Sequence, residues 1–529
     1  MAMATLTALL WVGCLLSPAA AAAAGSGADA QPCSPLQFEG DSVVCVCNAT
    51  YCDPFPSLTP AMGANATVVT SSRAGDRFVV SSAQWKPMAH PQPAALTLNL
   101  GQGDLRQRLL GFGGAFTDAA GVNINSLPED VQAQLLHSYF APDGLRYTIG
   151  RIPIGGCDFS TRPYTYDDVP GDDKLENFAL TEEDTLLKIP HLLTAHNMSG
   201  GSLRLFGSAW SAPAWMKTNN NLTGLGSLKP EYFQLWADYH MRFMKAYKEA
   251  GVFVGALTTQ NEPTNGGLSP GAWNTMGWTA DTQLTWVRDN LGPTLRASAD
   301  FNETMVMILD DQRSLLPDWA DTVLADEAAA AFVAGIAVHW YRDLDTPASV
   351  LTDTHNNHPD KFLLATEACE GSYSADKVVL GSWERAESYA VDIIDDLNNW
   401  VTGWVDWNIA LDRIGGPNWV GNFVDSPIIV DAEKERFFKQ PMFYVLGHFS
   451  ALMPPGTVMT TFGEVRRDGV AAADVKTTIG FTPDGQTVLT MLNKADSGVD
   501  VTVAQPNRGT LDVHLPERSI TSVLFATDY

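Results

Sequence analysis

The sequence predicts an α/β protein in which a parallel (β/α)8 barrel, or TIM barrel, is followed by an antiparallel β-sandwich. Two observations lead to this fold class. Between about residues 105 and 408, eight short apolar runs alternate with longer helical patterns, which is the order of βα units around a parallel sheet. From residue 456 to 529 the pattern changes to alternating strands separated by Asp-Gly and other glycine-containing turns.

The eight apolar runs are the candidate barrel strands, because eight parallel strands in one chain are typical of a TIM barrel. Between them, residues such as 230–250 carry aromatic and aliphatic side chains at helical spacing, which predicts helices that pack one face on the core. The candidate strands cover residues 109–112, 147–152, 203–206, 253–257, 305–309, 335–338, 362–365 and 403–405.

The sandwich is expected to draw strands from both parts of the chain. Residues 488–492 and 499–503 alternate as strands do. Three short runs near the N-terminus, at 68–69, 78–80 and 96–98, are too few to bury a core alone. We therefore expect these runs to join the C-terminal sandwich.

The first 24 residues predict a signal peptide, since an apolar run is followed by an alanine tract suited to cleavage. No later stretch stays apolar for the roughly 20 residues that a membrane span requires, so a soluble mature protein is expected. The formal net charge of −27 argues against a nucleic-acid partner, which would need a basic face to displace counterions from phosphate.

Four cysteines, Cys33, Cys45, Cys47 and Cys52, lie within twenty residues of one another. In an oxidising compartment this crowding indicates two disulfides, for which three pairings exist. A zinc site is the alternative, but no histidine lies nearby to complete a familiar ligand set. Five Asn-x-Ser/Thr sequons are candidate glycosylation sites in such a compartment: Asn48, Asn65, Asn197, Asn221 and Asn302.

Two predicted strands end in glutamate-bearing polar runs. Strand four leads into Thr-Gln-Asn-Glu-Pro, which carries Glu262, and strand seven leads into Thr-Glu-Ala-Cys, which carries Glu367. Retaining glycosidases need one carboxyl group to protonate the leaving oxygen and a second, about 5 to 5.5 Å away, to attack the anomeric carbon. Because barrel loops after the strands converge on one face, the pair predicts a retaining β-glycosidase, with Glu262 as acid/base and Glu367 as nucleophile.

Further polar and aromatic residues follow other predicted strands, and together they suggest a pocket suited to a hexose. Individually each has an ordinary structural explanation: Arg151 as an ion-pair partner, and His339 and Tyr341 as satisfied core groups. No cluster of metal ligands appears, so no cofactor is expected. The residues at these strand ends are Asp118, Arg151, Trp210, His339, Tyr341, Asp406, Trp407 and Asn408.

Six longer runs are distinctive: VVCVCNATYC at 43–52, GFGGAFTDAA at 111–120, CDFSTRPYTY at 157–166, LDDQR at 309–313, GIAVHWY at 335–341 and GGPNWVGNFVDSPIIVD at 415–431. On these runs the sequence closely resembles the glucosylceramide-cleaving members of glycoside hydrolase family 30, and the resemblance covers nearly the whole mature chain.

The resemblance implies hydrolysis of the β-glucosyl bond of glucosylceramide with retained configuration, through a covalent glucosyl-enzyme at Glu367. It implies that Glu262 protonates ceramide and then activates water, and that Asn261 binds the 2-hydroxyl of glucose. The other substrate-binding positions that it implies are Asp118, Trp210, Gln312, Tyr341, Trp407 and Asn422. Their strand-end positions add His339 to this set and Arg151 as a supporting residue.

The resemblance also implies an architecture and a cellular setting. It pairs Cys33 with Cys45 and Cys47 with Cys52. It divides the chain into a small antiparallel sheet (30–57 and 409–440), an immunoglobulin-like sandwich (58–104 and 456–529) and the catalytic barrel (105–408 and 441–455). The implied setting is the lumen of the lysosome, which the protein reaches by the secretory pathway, and secretion from the cell is the alternative. There the protein acts at a membrane that presents the glycosphingolipid. The implied partners are a saposin-type activator and a lysosomal membrane sorting receptor.

Two other functions compete with this hypothesis. One is a relative that acts on another β-glycoside, such as a xyloside, a galactosylceramide or a soluble glucoside, and Trp210 and the loop at 266–278 are where these would differ. The other is a non-catalytic binding or chaperone protein that keeps the fold. Loss of either glutamate would favour the second alternative, yet both are present.

Overall fold

The computed structural model describes residues 32–58, 61–88, 95–101, 103–466 and 474–527. The predicted signal peptide, residues 1–24, lies outside this part of the chain. None of the helices in the described ranges combines the length and apolar character that crossing a bilayer would require.

The strands form three groups in space, and strands from before and after the barrel come together in two of them. Those before the barrel are β1 (Pro35–Gln37), β2 (Val43–Asn48), β3 (Asn65–Ser72), β4 (Val79–Gln84), β5 (Leu96–Asn99) and β6 (Leu105–Arg108). The barrel strands are β7 (Gly111–Ala115), β8 (Ile149–Ile154), β9 (Arg204–Ala209), β10 (Ala256–Thr258), β11 (Met305–Gln312), β12 (Val333–His339), β13 (Phe362–Glu367) and β14 (Val401–Asn408). Those after it are β15 (Leu411–Asp412), β16 (Ile428–Asp431), β17 (Arg436–Lys439), β18 (Val458–Thr460), β19 (Gly463–Arg466), β20 (Val475–Phe481), β21 (Gln486–Asn493), β22 (Val499–Gln505), β23 (Gly509–Leu515) and β24 (Ser519–Ala526).

The barrel is closed and all its strand pairs are parallel, with β14 returning to pair with β7. The predicted TIM barrel is therefore confirmed, and each of the eight candidate runs overlaps an observed strand. The helices are α1 (Asp118–Asn125), α2 (Glu129–Phe140), α3 (Ile189–Met198), α4 (Phe233–Glu249), α5 (Ala280–Trp286), α6 (Gly292–Arg296), α7 (Asp318–Leu324), α8 (Glu327–Ala330), α9 (Ser349–Asn357), α10 (Trp383–Asn398) and α11 (Pro441–Ser450).

The long barrel helices show why these segments become helical. Helix α4, expected from the spacing in 230–250, buries Trp236, Tyr239, Phe243 and Tyr247 along one face. Helix α10 likewise buries one apolar face, and Ser382 begins it by accepting a hydrogen bond from the backbone N–H of Arg385. These faces cover the outside of the barrel, so its strands are buried on both sides and read as apolar runs.

A small five-stranded sheet joins the N-terminal part of the chain to the region after the barrel strands, in the order β1-β2-β17-β16-β15. Three of its pairings are antiparallel, as expected for the small sheet, and β15 and β16 run parallel. The disulfides are Cys33–Cys45 and Cys47–Cys52, the pairing that the family resemblance implies. Both remaining described cysteines, Cys157 and Cys369, are free and buried.

The β-sandwich packs a seven-stranded sheet, β4-β3-β24-β21-β20-β18-β6, on a four-stranded sheet, β19-β5-β22-β23. Strands from both ends of the chain contribute, as predicted, because β3 pairs with β24 and β5 pairs with β22. The pairing of β5 with β22 is parallel, whereas the other pairings within the sandwich are antiparallel. Strand β6, which falls inside the expected barrel segment 105–408, pairs with β18 of the sandwich.

Candidate active site

Two carboxylates lie at the carboxyl-terminal end of the barrel, where active sites of this fold are built. Glu367 is the last residue of β13, and Glu262 lies four residues beyond the end of β10. Both side chains line one cavity of about 540 Å³, which is within the size range of small-ligand sites. Five other predicted residues also line it: Trp210, Gln312, Tyr341, Trp407 and Asn422.

Glu367 is held by two donors that approach different oxygens. The Arg151 guanidinium donates to Oε2, and the Tyr341 hydroxyl donates to Oε1 at 2.8 Å. The side chain of Glu367 is only 7% exposed, so little freedom remains to it. A buried carboxylate fixed by a charge-assisted bond on one oxygen and a phenol on the other has a defined direction for attack.

Glu262 has neutral amide donors instead. Asn265 Nδ2 donates to Oε2 at 2.7 Å, and Gln312 Nε2 donates to Oε1 at 3.2 Å. The ring nitrogen Nδ1 of His339 lies 3.6 Å from the same Oε1. The backbone of Glu262 has φ +42°, a left-handed conformation that costs a non-glycine residue free energy and is common at functional sites.

A β-bulge in β11 directs two consecutive carboxylates into different surroundings. Leu309 and Asp310 both have positive φ, and the register with β12 shifts between Leu309 and Asp311. Asp310 is fully buried inside the barrel, while Asp311 lines the cavity and accepts a hydrogen bond from the Thr264 hydroxyl at 2.7 Å. Such bulges re-aim side chains next to active sites.

Asp310 is the centre of the hydrogen-bond network beneath the cavity. Its Oδ2 accepts from Arg151 Nη2 at 3.0 Å, and its Oδ1 lies 3.0 Å from His339 Nε2. The hydroxyls of Ser208, Thr258 and Thr366 also donate to it. Every one of these groups is on a barrel strand, so rigid elements position the two groups that reach the glutamates.

The charges in this network are matched. Burial alone would raise the pKa of Asp310, but Arg151 and His339 hold it well below its ordinary value. Burial alone would lower the pKa of His339, but Glu367 and Asp310 raise it to about 10. Arg151 and His339 are therefore cationic at physiological pH, and each connects Asp310 to one of the two glutamates.

Two tryptophans form an apolar wall of the cavity. The rings of Trp210 and Trp407 stack at 5.1 Å with an interplanar angle of 17°. The Arg151 guanidinium carbon lies 4.9 Å from the Trp210 ring centre and 5.3 Å from that of Trp407. The flat rings are suited to contact the apolar face of a sugar, while the cation beneath them fixes their position.

Asp118, which is expected to bind substrate, is buried and is not among the residues that line the cavity. It begins helix α1, and its Oδ2 accepts from Ser160 Oγ at 2.5 Å and Tyr164 Oη at 3.0 Å. Its Oδ1 lies 3.3 Å from Lys188 Nζ. Ser160 Oγ also accepts from the backbone N–H of Cys157, so Asp118 supports the loop after β8, and its contact with substrate stays a prediction.

Asp158, which the sequence analysis did not select, is the carboxyl group of that loop that lines the cavity. Asn422 Nδ2 and Asn418 Nδ2 donate to its Oδ2 at 3.0 and 3.3 Å. Burial, reinforced by Glu367 and Glu262 and opposed by these amides, raises the pKa of Asp158 to about 7. Asp158 follows strand β8 and lies in the run CDFSTRPYTY, and this position could have identified it as a residue of the site.

Asn261 is buried and directly precedes Glu262. Its Oδ1 accepts from Arg151 Nη2 at 2.8 Å, and no partner for its Nδ2 is found in the described ranges. Arg151 thus contacts Asn261, Asp310 and Glu367 together. One guanidinium aligns three of the polar groups at this end of the barrel.

A second buried acidic cluster lies beside the cavity. Single oxygen atoms of Asp343, Asp392 and Asp396 lie within 4.8 Å of one another. The Nη1 atom of Arg313 is 2.6 Å from Asp343, 3.9 Å from Asp392 and 3.5 Å from Asp396. The guanidinium already takes the position that a cation would occupy between these carboxyls.

The sequons differ in accessibility. Asn65, Asn197, Asn221 and Asn302 are exposed, as glycan acceptors must be. Asn48 is half-buried in β2, and its Oδ1 accepts from the backbone N–H groups of Thr50 and Tyr51.

Comparison with known proteins accounts for this arrangement. Residues 109–453 match the glycosyl hydrolase family 30 TIM-barrel domain. The chain belongs to glycoside hydrolase family 30. Residues 464–523 match the β-sandwich domain of the same family, and as a member the protein is a glycoside hydrolase.

Relatives within family 30 match along almost their full length. The chain is 44% identical to the lysosomal acid glucosylceramidase of Mus musculus over 94% of this chain and 96% of that one. It is 41% identical to the putative glucosylceramidase 3 of Caenorhabditis elegans over 93% and 95%. The crystal structure of SrfJ from Salmonella typhimurium superposes with a TM-score of 0.80 at 28% identity, covering 88% of this chain and all of that one.

Proposed function

We propose that this protein is a retaining β-glucosidase that hydrolyses glucosylceramide to glucose and ceramide, with Glu367 as nucleophile and Glu262 as acid/base. The observation that carries the proposal is the pair of glutamates in one cavity with different donors. Glu367 has an arginine and a phenol on its oxygens, whereas Glu262 has two amides. Double displacement needs two carboxyl groups with unlike roles, and unlike surroundings are how proteins assign them.

In the first step Glu367 attacks the anomeric carbon while Glu262 gives its proton to the glycosidic oxygen. The bond from the anomeric carbon to that oxygen breaks, ceramide leaves as the alcohol, and a covalent glucosyl-enzyme forms. Tyr341 and Arg151 keep the attacking carboxylate directed as its charge is consumed. As Glu367 loses its negative charge, the cationic Arg151 remains balanced by Asp310.

In the second step Glu262, now a carboxylate, removes a proton from water as the water attacks the anomeric carbon. The bond to Glu367 breaks, and glucose leaves with its original β configuration. His339 Nδ1 and Gln312 Nε2 both approach Oε1 of Glu262, at 3.6 and 3.2 Å, and hold the carboxyl group in position for both steps.

The sugar-binding part of the proposal uses the groups that surround the two glutamates. Trp210 and Trp407 supply the stacking surface, and Asp158 supplies a carboxyl group for sugar hydroxyls. Asn261 precedes Glu262 and has a free amide donor for the 2-hydroxyl, an interaction that strengthens in the transition state. Gln312, Tyr341 and Asn422 complete the lining.

The lipid part of the proposal uses the rim of the cavity. Leu268 and Tyr373 line the cavity and are 84% and 82% exposed. Tyr373 and the fully exposed Leu344 line an adjoining cavity of about 850 Å³, which shares Tyr341 and Cys369 with the first. Exposed apolar side chains at the mouth of a polar pocket suit a substrate whose sugar enters while its alkyl chains stay at a membrane surface.

The proposed location is the lumen of the lysosome, at a membrane that presents the glycosphingolipid. Two disulfides support passage through an oxidising compartment, and a murine relative is lysosomal by name. The proposal includes the partners implied by the family resemblance, a saposin-type activator and a lysosomal membrane sorting receptor.

The test uses the purified protein, a cyclitol epoxide that labels retaining β-glucosidases, and peptide mass analysis. Glu367→Gln is expected to abolish both turnover and labelling, a loss of about 10⁴-fold or more, because no carboxylate remains to form the covalent bond. Glu262→Gln should keep the label but turn over aryl glucosides faster with added azide than without it. A label on any peptide without Glu367 would overturn the assignment.

The substrate is tested in parallel with matched glucosyl, galactosyl and xylosyl lipids of one ceramide in the same vesicles. The glucosyl lipid is expected to have the highest kcat/KM by at least about tenfold, because a lost hydroxyl contact in a polar site is costly. Preference for either other sugar would leave the retaining mechanism intact and reject the substrate.

A further inference from the structure

A second cavity opens at the opposite end of the barrel from the glutamates. Its volume is about 360 Å³, at the lower end of the range for small-ligand sites. It is lined by the first residues of several barrel strands, including Ile149, Arg204, Ala256, Met305 and Phe362. Phe362 and Glu367 are the two ends of β13, so the cavity lies roughly 16 Å from the catalytic end at 3.3 Å per strand residue.

The walls of this cavity are apolar on two sides. On the inner side lie buried residues of the barrel floor, including Phe206, Met307 and Leu364. On the outer side lie Leu192 and Leu193 of α3 together with Val252 and Phe253 from the segment between α4 and β10. The interior of a TIM barrel is ordinarily filled by packed side chains. An opening of this size at the floor is therefore a candidate ligand site.

The charge at the rim is opposite in sign to that of the whole chain. Arg204 and His196 are exposed at the rim, and in the described ranges neither side chain has an ion pair or a hydrogen bond. The described lining contains no aspartate or glutamate, although the chain carries a formal charge of −27. An apolar cavity with one unpaired guanidinium at its mouth matches a ligand with an alkyl chain and an anionic head.

We infer that this cavity is a second ligand site, which binds a single-chain anionic amphiphile such as a medium-chain carboxylate. The chain lies between α3 and the barrel floor, and the carboxylate pairs with Arg204, with His196 beside it. The site is independent of the glucosidase chemistry, since it shares no lining residue with the catalytic cavity. Binding there should stabilise the folded protein.

Calorimetric titration of the full-length protein with octanoate and decanoate at pH 6.5 tests the apolar part. Each methylene group that leaves water should tighten binding by up to about fourfold, and decanoate should raise Tm in proportion to the logarithm of its concentration. Leu193→Trp fills the mouth of the cavity and should abolish the titration. Absence of saturable binding to the wild type, or unchanged binding to active Leu193→Trp, would reject the site.

Arg204→Met tests the head-group contact and keeps the apolar stem of the side chain. It should weaken decanoate by about five- to tenfold and leave decanol unchanged, whereas Arg242→Met on α4, away from the cavity, should alter neither. Leu193→Trp, Arg204→Met and Arg242→Met should each turn over a soluble aryl β-glucoside as fast as the wild type does. Equal turnover shows that the variants fold. Equal loss of decanoate and decanol would contradict the charge assignment.

A crystal of the wild type soaked with 10-bromodecanoate locates the ligand without any variant. An anomalous bromine peak among Leu192, Phe206 and Val252 is the expected result. A peak found only beside Tyr373 and Leu344 would place the amphiphile at the catalytic mouth and overturn the inference, as would the absence of a peak at saturating ligand.

Discussion

The two buried clusters near the catalytic end of the barrel each hold three carboxyl groups but differ in the number of cations that face them. In the first, Arg151 and His339 face Asp310, Glu367 and Glu262, so two cations serve three carboxylates, and serine and threonine hydroxyls satisfy Asp310. In the second, Arg313 alone serves Asp343, Asp392 and Asp396. A buried charge that is not matched is commonly neutralised by a proton, so the second cluster retains protons.

The pKa shifts give the two clusters different responses to pH. Asp310 has a lowered pKa, so its contribution to stability is present above its unfolded value near 4 and is lost as pH falls through the folded value. His339 has a pKa raised to about 10, so its contribution is complete below about 6.5 and is lost as pH rises through 10. Both contributions are therefore present between about pH 4 and 6.5.

The second cluster favours acid throughout. Burial raises the pKa of Asp343, Asp392 and Asp396, and repulsion by Asp392 raises those of the other two further, against the opposing effect of Arg313. The folded protein binds more protons here than the unfolded chain, so stability is fully present below about pH 4 and falls as pH rises. The comparison teaches that charge matching makes a cluster tolerant of pH, while missing cations make it prefer an acidic compartment.

The largest expected effect comes from removing the Arg151 cation from the first cluster. Arg151→Met leaves Asp310 and Glu367 buried without their shared cation, which should lower the free energy of unfolding by about 3–5 kcal/mol and kcat/KM by about 10³-fold. Urea denaturation and aryl glucoside turnover at pH 5 measure both. Arg151→Lys keeps the charge but loses the fork that reaches three partners, so it should recover part of the stability and little of the activity. A stable, active Arg151→Met would show that matching is unimportant there.

An intermediate effect is expected from Asp158, a carboxyl group of the cavity without a cationic partner. Asp158→Asn keeps the size of the side chain and should reduce kcat/KM for glucosides by about 10- to 100-fold through a weakened hydroxyl contact. Stability should change little, because the role proposed for this residue is contact with substrate. Asp118→Asn is the matched comparison, for it should lower stability through Lys188 and Ser160 more than it alters KM.

The smallest effect is expected in the second cluster, and its sign is stabilising. Asp396→Asn removes one of three crowded carboxyls and should raise the free energy of unfolding by about 1–2 kcal/mol at pH 7.5, with no gain at pH 4.5. Urea denaturation at both pH values measures this difference. Asp300→Asn is the control, since Asp300 pairs with Lys248 and does not belong to the cluster. An equal gain at pH 4.5 would mean that protonation of the cluster does not cause the effect.

Much of the fold could be predicted because the spacing of apolar residues along the chain marks the strands and helices. The apolar runs mark the barrel strands, since strands covered on both faces must be apolar along their length. Placement at strand ends also identified Glu262 and Glu367, which line the same cavity. The parallel pair β15–β16 was missed because a two-residue strand leaves no periodic signal.

Side-chain direction in the site could not be predicted from strand position. Asp118 and Asp158 both follow a barrel strand, yet of the two only Asp158 lines the cavity, while the Asp118 carboxylate at the start of helix α1 lies beside Lys188. The cluster at Arg313 was invisible for another reason. Asp343 is separated from Asp392 and Asp396 by about 50 residues, and only the packing of α10 beside the loop after β12 brings them together.

In the sheets shared by the two ends of the chain, early strands wait for partner strands that the ribosome makes much later. Val46 of β2 pairs with Phe438, and Val68 of β3 pairs with Val523. At about 5–20 residues per second, a ribosome needs roughly 20 to 90 s to supply these partners after the early strands have been made. During that time β2 and β3 present open edges that could pair with other chains. Any truncation before β24 leaves one edge of β3 permanently open, with β4 paired on the other edge.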